Sequence, residues 1–291
     1  DGIRNVMSNS GQSCDAPTRM LVEKSIYERA VKEAAVLEKI IQYERVHQIK
    51  DMNELKRRLG EDRRFFSYFH PALEDEPIIF VQVALTKGLG KSIQELMKPS
   101  SNDSKKADTA TFYSISNCQE GLSRVTLGNF LIKRVVYEIQ EELPHIKNFG
   151  TLSPIPGFAD WFSYQDDKKI ENILGNFKNK NTSFLKSKDL KIGDKRFIDN
   201  KDVLMKLATH YIVNEKNNKE LPVNDVSRFH LGNGAIVDDI IVNANISEVG
   251  FKRSFGVMVN YLYELNTIEK NHEDFVNNKK VNISDKLKKY L

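Results

Sequence analysis

The sequence predicts an α/β fold in which helices flank a mixed β-sheet, and three observations support this class. Residues 65–69 and 77–85 are rich in aromatic and β-branched side chains, and a turn over residues 72–76 separates them. Two such runs joined by a short turn are typical of a β-hairpin. Residues 127–142 carry apolar side chains at helical spacing, and a short apolar run over residues 149–152 follows. This order indicates a sheet with helices packed against it.

The remaining elements are predicted in chain order from the same periodicities. Residues 18–59 show mixed helical spacing, and Gly60 ends a helix over residues 52–59. Residues 165–200 are rich in Lys, Asn and Asp, which is typical of short helices and surface loops. The sequence also predicts a third strand over 109–116, a helix over 203–213, and last strands over 236–244 and 255–265, followed by a charged tail.

The bulk composition is that of an ordinary globular protein. Of the 291 residues, 40% are hydrophobic and 29% are charged, and the formal net charge is +4. A charge this small does not indicate nucleic-acid binding, but a modest basic excess suits a small anionic ligand. The length allows one large domain or two small ones.

Cysteine, histidine and apolar patterns narrow the compartment and the cofactors. The two cysteines, Cys14 and Cys118, form no disulfide framework, which favours a reducing, cytoplasmic location. The sequence shows no apolar run of membrane-spanning length and no signal peptide, so we expect no membrane partner. The six histidines are dispersed, and no dinucleotide-binding glycine motif occurs. We therefore expect neither a metal nor an organic cofactor.

Two segments carry the strongest chemical signal. Residues 150–158 read Gly-Thr-Leu-Ser-Pro-Ile-Pro-Gly-Phe, and residues 228–235 read Arg-Phe-His-Leu-Gly-Asn-Gly-Ala. We expect each to hold one reactive side chain, Ser153 or His230, in a stiff turn rather than in a regular element. Taken alone, each residue is more typical of a structural role. A Ser and a His that meet in space can move protons without any cofactor.

These segments and their surroundings resemble the malonyl-CoA decarboxylase family. The resemblance covers about residues 43–291, and its matching stretches, in order, are residues 69–73, 80–88, 107–116, 128–133, 152–158, 229–235 and 259–263. It implies a GNAT-type acyl-CoA N-acyltransferase fold and conversion of malonyl-CoA to acetyl-CoA and CO2 in malonate or fatty-acid metabolism. It also places the family's proton-relay serine on Ser153 and its catalytic histidine on His230. The ordinary histidine pKa of about 6.5 then suits His230 as the proton donor.

The resemblance also assigns residues to substrate binding. Malonyl-CoA binding falls on the loop before the long helix, at Ser123, Arg124, Val125, Thr126, Leu127, Gly128 and Asn129. A strand that feeds a helix N-terminus offers free N–H groups to a diphosphate, although on the residues alone a plain glycine-containing turn is the commoner interpretation. Asn233 and Tyr263 are further candidate donors to the substrate, and both could equally be structural. We assign Thr126 no acid role and expect Cys118 to pack rather than react.

The N-terminal residues have a different resemblance. Residues 1–35 are similar to the catalytic-cysteine segment of aldehyde dehydrogenases, with Cys14 at the position of the nucleophile. We interpret them as a fragment, residues 36–62 as a helical remnant or linker, and residues 63–291 as a decarboxylase catalytic domain. The family's helical domain contributes to oligomers, and nearly all of it is missing here. The sequence therefore leaves open whether the chain forms a homo-oligomer.

Three other functions stay open on the sequence. The first is an acyl-CoA N-acyltransferase on the same fold, which would need a cleft for an amine acceptor. The second is an acyl-CoA binder that has lost turnover. The third is an aldehyde dehydrogenase using Cys14. Within the decarboxylase interpretation, malonyl-CoA and methylmalonyl-CoA differ by one methyl group, worth only about 1–3 kcal/mol of discrimination.

Overall fold

The structure is a computed structural model that describes residues 27–70, 72–73, 76–98, 104–119, 121, 128–177 and 181–291. The chain forms two compact units. The first contains residues 1–85, 97–104 and 112–126, and the second contains residues 86–96, 105–111 and 127–291. No helix among the described residues is long and apolar enough to cross a bilayer.

The described residues of the first unit form two helices and the predicted hairpin. Its elements are α1 (Tyr27–Tyr43), α2 (Met52–Arg58), β1 (Arg63–Phe69) and β2 (Pro77–Thr86). Strands β1 and β2 pair antiparallel, with Phe65 opposite Gln82, so the hairpin prediction is confirmed. Asp51 begins α2 by accepting a hydrogen bond from the backbone N–H of Glu54. The predicted helix over residues 52–59 is therefore also confirmed, one residue shorter.

The core of this unit lies between the helices and β2. The buried side chains that meet there are Ile40, Ile49, Leu55, Phe80 and Cys118. Burial of apolar surface stabilises this core by about 25 cal/mol for each Å² removed from water. Cys118 is buried, and burial is the largest cause that raises the pKa of its thiol to about 12. It therefore packs as a neutral thiol, in line with the sequence prediction.

The first unit also buries a carboxylate at the end of α1. Glu44 is 3% exposed and lies beside β2 and the strand β3 (Thr109–Asn117), whose residues from 112 on belong to this unit. Its two oxygens accept hydrogen bonds from Val46 N, His47 N, Gln82 Nε2, Ser114 Oγ and Ser116 Oγ. A buried carboxylate is tolerated when hydrogen bonds replace its lost water.

The sheet of the second unit is built on β7 (Met258–Leu262). Strands β4 (Asn148–Thr151), β5 (Ser153–Pro154) and β6 (Ile236–Ile241) all pair antiparallel with it. A side chain at Gly150 would place its Cβ 2.7 Å from the carbonyl oxygen of Tyr261, which explains the glycine there. The predicted strand over residues 255–265 is shorter in the structure. Phe255 ends the preceding helix in the left-handed region with φ 54°, so the strand starts only at Met258.

Helices surround this sheet within the second unit. They are α3 (Ile93–Met97), α4 (Gly128–Glu142), α5 (Phe158–Ser163), α6 (Asp167–Leu174), α7 (Lys195–Asp199), α8 (Lys201–Val213), α9 (Asp225–Gly232), α10 (Glu248–Ser254), α11 (Ile268–Asn278) and α12 (Asp285–Lys288). The predicted helices over residues 127–142 and 203–213 correspond to α4 and α8. The predicted charged tail instead contains α11 and α12, because Phe275 and Leu287 are buried and fix these short helices.

Candidate functional site

Ser153 lies in a short strand rather than in a turn. It opens β5 and pairs with Val259 of β7, and it is 6% exposed. The prediction that it sits outside regular structure is therefore wrong. Pro154 and Pro156 follow, so the stiffness expected from the two prolines begins only after Ser153.

His230 lies in the last turn of α9, so the expectation of a turn is wrong for this residue too. Asn224 begins the helix by accepting a hydrogen bond from the backbone N–H of Ser227, and Gly234, with φ 81°, follows its end. Both are standard helix boundary signals. The sequence interpretation assigned residues 228–235 to a turn and missed the cap at Asn224, which begins the helix before them.

The two residues meet in the fold, together with two further hydroxyl groups. Ser153 Oγ lies 3.0 Å from His230 Nε2, and His230 Nδ1 lies 2.7 Å from the hydroxyl of Tyr263. Ser153 Oγ donates to Thr151 Oγ1 at 2.8 Å. We name this set of four side chains, Thr151, Ser153, His230 and Tyr263, the relay row. Thr151 was missed from sequence, although it stands two residues before Ser153 and so on the same side of an extended chain.

The donors and acceptors of the relay row assign one tautomer to the histidine. Ser153 has a single hydroxyl proton and donates it to Thr151. Ser153 Oγ therefore accepts a hydrogen bond from His230 Nε2–H. His230 Nδ1 is then an acceptor, and Tyr263 donates to it. Burial raises the pKa of Tyr263 well above its usual value, so this phenol keeps its proton.

Burial also decides the charge of His230. The side chain is 3% exposed, and burial lowers its pKa to about 3, because the imidazolium would lose its water. The imidazole is therefore neutral at ordinary pH. Burial thus holds the pKa of His230 well below the ordinary histidine value of about 6.5.

Aromatic contacts fix the plane of the imidazole. The ring of Tyr261 stacks against it with centroids 4.6 Å apart and an interplanar angle of 26°. Phe229 meets it edge-on at 5.0 Å. The hydroxyl of Tyr261 donates to Ser227 Oγ, which holds the stacked ring in place. His230 therefore has one orientation, set by hydrogen bonds at both nitrogens and by one ring face.

The other residues predicted to bind substrate lie in different parts of the structure. Tyr263 belongs to the relay row, whereas Asn233 follows α9 and donates from Nδ2 to the carbonyl oxygen of Phe229 at 2.7 Å. Its Oδ1 is buried without a hydrogen-bond partner among the described residues. Residues 123–127 lie outside the described residues. Gly128 and Asn129 are the first residues of α4.

A cleft of about 490 Å³ also reaches Tyr263. Its lining residues are Gln140, Lys147, Asn148, Leu262, Tyr263, Glu264, Leu265, Asn266 and Thr267. Within the described part of the chain, no group of three or more His, Cys, Asp or Glu side chains is arranged to hold a metal ion.

Comparison with known proteins identifies the family. The model of the family described as malonyl-CoA decarboxylase C-terminal domain matches residues 21–291. The chain is 35% identical over 274 residues to the mitochondrial malonyl-CoA decarboxylase of Rattus norvegicus, which covers 87% of this chain and 56% of that protein. It is 34% identical over 283 residues to that of Anser anser anser, with 88% and 55% covered.

Solved structures agree. Crystal structures of malonyl-CoA decarboxylase from Rhodopseudomonas palustris and Agrobacterium vitis are each 40% identical in sequence, with TM-scores of 0.78 and 0.79. The matches cover 88% of this chain and 63% and 64% of those chains. They share the fold of this chain, which confirms the predicted class of a β-sheet with flanking helices. The chain spans little more than half the length of the curated relatives. It belongs to the malonyl-CoA decarboxylase family.

Proposed function

We propose that this member of the malonyl-CoA decarboxylase family converts malonyl-CoA to acetyl-CoA and CO2, with Ser153 and His230 as its catalytic residues. The observation that carries the proposal is the buried hydrogen bond of 3.0 Å between Ser153 Oγ and His230 Nε2. Both residues stand in segments by which the sequence resembles the family. The whole-protein activity is a proposal because the chain covers only 55% and 56% of the curated relatives.

The reaction needs a proton and a place for negative charge. When the bond between the α-carbon and the carboxylate breaks, its electron pair stays on the thioester fragment as an enolate, and CO2 leaves. The α-carbon then takes up one proton to give acetyl-CoA. Hydrogen-bond donors that face the thioester oxygen lower the barrier by stabilising the enolate. A positioned acid completes the reaction by protonating carbon.

Ser153 and His230 suit these two tasks once the substrate is bound. The substrate carboxylate is an anion, and an anion beside a buried imidazole raises its pKa. The neutral His230 would thus gain a proton from solvent as the carboxylate enters and hold it for the α-carbon. Ser153 would bind the carboxylate or thioester oxygen and pass the proton. Tyr263 orients His230 from the other nitrogen.

The substrate and assembly assignments extend this proposal. The loop of residues 123–129 would bind the CoA diphosphate, and Asn233 would offer a further polar group to the acyl end. No metal or organic cofactor takes part. We further propose that the protein acts in the cytoplasm. The oligomeric state stays a sequence prediction.

Site-directed variants test the proposal. Acetyl-CoA release from malonyl-CoA, with no amine acceptor present, is compared for the parent chain, Ser153→Ala and His230→Ala. Each variant should lose at least about a hundredfold in kcat, because acid–base groups contribute about 10²–10⁴. Exposed residues of the same unit, Ser163→Ala and His145→Ala, serve as matched controls and should keep the parent rate.

The outcomes separate the rival functions. Full activity in Ser153→Ala and His230→Ala contradicts the assigned catalytic pair. Binding of malonyl-CoA by a folded parent chain without CO2 release identifies an acyl-CoA binder instead. Turnover that depends on an added amine identifies an N-acyltransferase.

A further inference from the structure

The contact between Ser153 and His230 joins residues that are 77 positions apart and lie on different elements, β5 and α9. A hydrogen bond between such residues keeps its length only if the two backbones are fixed relative to each other. In an active site this matters strongly, since a displacement of about 1 Å can lower a rate about a hundredfold. The surrounding hydrogen bonds show which side chain fixes the two backbones relative to each other.

The segment after Ser153 is anchored through a carbonyl oxygen. Proline has no N–H group, so the backbone at Pro154 and Pro156 can only accept hydrogen bonds. The carbonyl oxygen of Pro156 accepts two, from Asn224 Nδ2 at 2.9 Å and from the hydroxyl of Tyr211 at 3.0 Å. Gly157 makes room for the second donor, because a Cβ there would lie 2.8 Å from the Tyr211 hydroxyl.

The oxygen of the same carboxamide begins the histidine helix. Asn224 Oδ1 accepts from the backbone N–H of Ser227 at 2.9 Å and from Ser227 Oγ at 3.1 Å. The orientation of the amide is unambiguous. A backbone N–H requires an acceptor and a carbonyl oxygen requires a donor, so exchanging Oδ1 and Nδ2 would break the bonds to Ser227 N and Pro156 O.

A third link reaches the imidazole itself. Ser227 Oγ accepts from the hydroxyl of Tyr261 at 2.7 Å, and the Tyr261 ring stacks on His230. Asn224 is thus connected to both halves of the pair. Its nitrogen holds the serine segment, and its oxygen holds the start of the helix and, through Ser227, the ring against which the imidazole packs. Asn224 is 2% exposed, so water does not compete for these bonds.

We propose that Asn224 is a positioning residue for decarboxylation, which sets the distance between Ser153 and His230 by tying Pro156 to the first turn of α9. The inference rests on the proposed function, because it assigns Asn224 a role through that catalytic pair. Tyr211 is the second donor to the same carbonyl and shares the role in part. Neither residue is in hydrogen-bond contact with Ser153 or His230 in the described structure.

The variants Asn224→Ser and Asn224→Asp separate the hydrogen bond to the Pro156 carbonyl from the role of residue 224 as a helix cap. Both keep an oxygen that caps a helix about as well as asparagine does. Serine is too short to reach Pro156, and an ionised aspartate has no proton to donate. We expect kcat for malonyl-CoA to fall about tenfold or more, with KM changed by less than about threefold. Tyr211→Phe should lower kcat less, since the Asn224 bond remains.

A matched control distinguishes positioning from loss of stability. Asp166 begins α6 by accepting from the backbone N–H of Lys169, in the same unit. Asp166→Ala removes a helix cap without touching the Pro156 carbonyl. It should lower the melting temperature, since a helix cap is lost, and leave kcat within about twofold of the parent.

The readouts keep this inference apart from the proposed function. If Ser153→Ala and His230→Ala are inactive while Asn224→Ser keeps the parent kcat, the positioning role is overturned and the proposed function stands. If those two variants keep full activity, the proposed function fails. The ¹⁵N chemical shifts of the His230 ring then test the structural role of Asn224 separately. A single tautomer in the parent that becomes mixed in Asn224→Ser supports it, and unchanged shifts overturn it.

Discussion

The Glu44 carboxylate of the first unit and the relay row of the second are both buried polar groups, but their hydrogen bonds are distributed differently. Glu44 accepts from five donors, two of them backbone N–H groups. In the relay row the hydrogen bonds run in one line, from Tyr263 to His230, to Ser153 and to Thr151. A saturated network resists change, whereas a linear one can take up and shift a proton.

The charge on the central group follows the same division. A carboxylate with five donors needs no partner of opposite charge, because the donors replace its water. His230 is buried with neutral partners, so burial drives its pKa down to about 3 and leaves it uncharged. We interpret the first network as structural and the second as reactive.

The double variant Ser153→Ala/His230→Ala tests whether the relay row acts as a unit. Each single variant should lower kcat by about 10³, equal to about 4 kcal/mol, within the range for acid–base catalysis. The double variant should be no slower than the slower single one, because residues that act together are not additive. Steady-state kinetics on malonyl-CoA measure this, and losses that multiply would mean that the two residues act independently.

Glu44→Ala tests the saturated network. It leaves buried donors without an acceptor, and we expect a loss of about 3 kcal/mol in the free energy of unfolding. Urea denaturation measures the loss, with Glu38→Ala on the exposed side of α1 as the control. The rate per folded molecule should not change. A variant as stable as the parent would show that the hydrogen bonds of Glu44 contribute little.

The depressed pKa of His230 predicts a loss of stability in acid. The unfolded chain takes up the imidazole proton as the pH falls below about 6.5, whereas folded His230 stays neutral down to about pH 3. The stability that buried, neutral His230 contributes is therefore fully present above pH 6.5. It declines between pH 6.5 and 3 by about 1.4 kcal/mol per pH unit.

The measurement is urea denaturation at several pH values between 5 and 7, for the parent and for His230→Gln. The variant should show a flatter dependence of stability on pH than the parent. Equal slopes would mean that His230 is not buried in its neutral form.

Tyr263→Phe tests the outer end of the relay row. The change removes the hydroxyl that donates to His230 Nδ1 and releases the tautomer, while the ring still fills its place. We expect kcat to fall about tenfold, equal to about 1.4 kcal/mol, because the hydrogen bond orients the imidazole without touching the reacting carbon. The pH profile of kcat should also shift, and an unchanged rate would place Tyr263 outside the mechanism.

Cys118→Ala should have the smallest effect. The thiol is buried among apolar side chains, and its pKa of about 12 keeps it protonated. The variant should lose about 1 kcal/mol of stability, as expected for a small buried group, and keep its kcat. Iodoacetamide should not alkylate this thiol in the folded protein. Fast alkylation would contradict its burial.

The sequence predicted best where one local pattern decides the structure. The hairpin of β1 and β2 follows from two strand-forming runs and the turn between them, and the two strands were placed correctly. Helix α9 was missed because the capping signal of Asn224 stands six residues before His230, outside the segment of residues 228–235 that we assigned to a turn.

The site was predictable only through the resemblance. No spacing rule relates Ser153 to His230, because tertiary structure alone brings residues 77 positions apart into contact. The neutral state of His230 follows from its burial, which depends on the stacked ring of Tyr261 and the whole of the surrounding packing. A pKa of this kind cannot be predicted from the residue type.

Turnover by the chain itself tests the central claim most directly. Purified protein is mixed with malonyl-CoA in buffer that contains EDTA and no added cofactor, and CO2 and acetyl-CoA are measured together. We expect equal amounts of both products, formed by the parent chain and not by Ser153→Ala/His230→Ala. A folded parent chain that binds malonyl-CoA but releases neither product would contradict it.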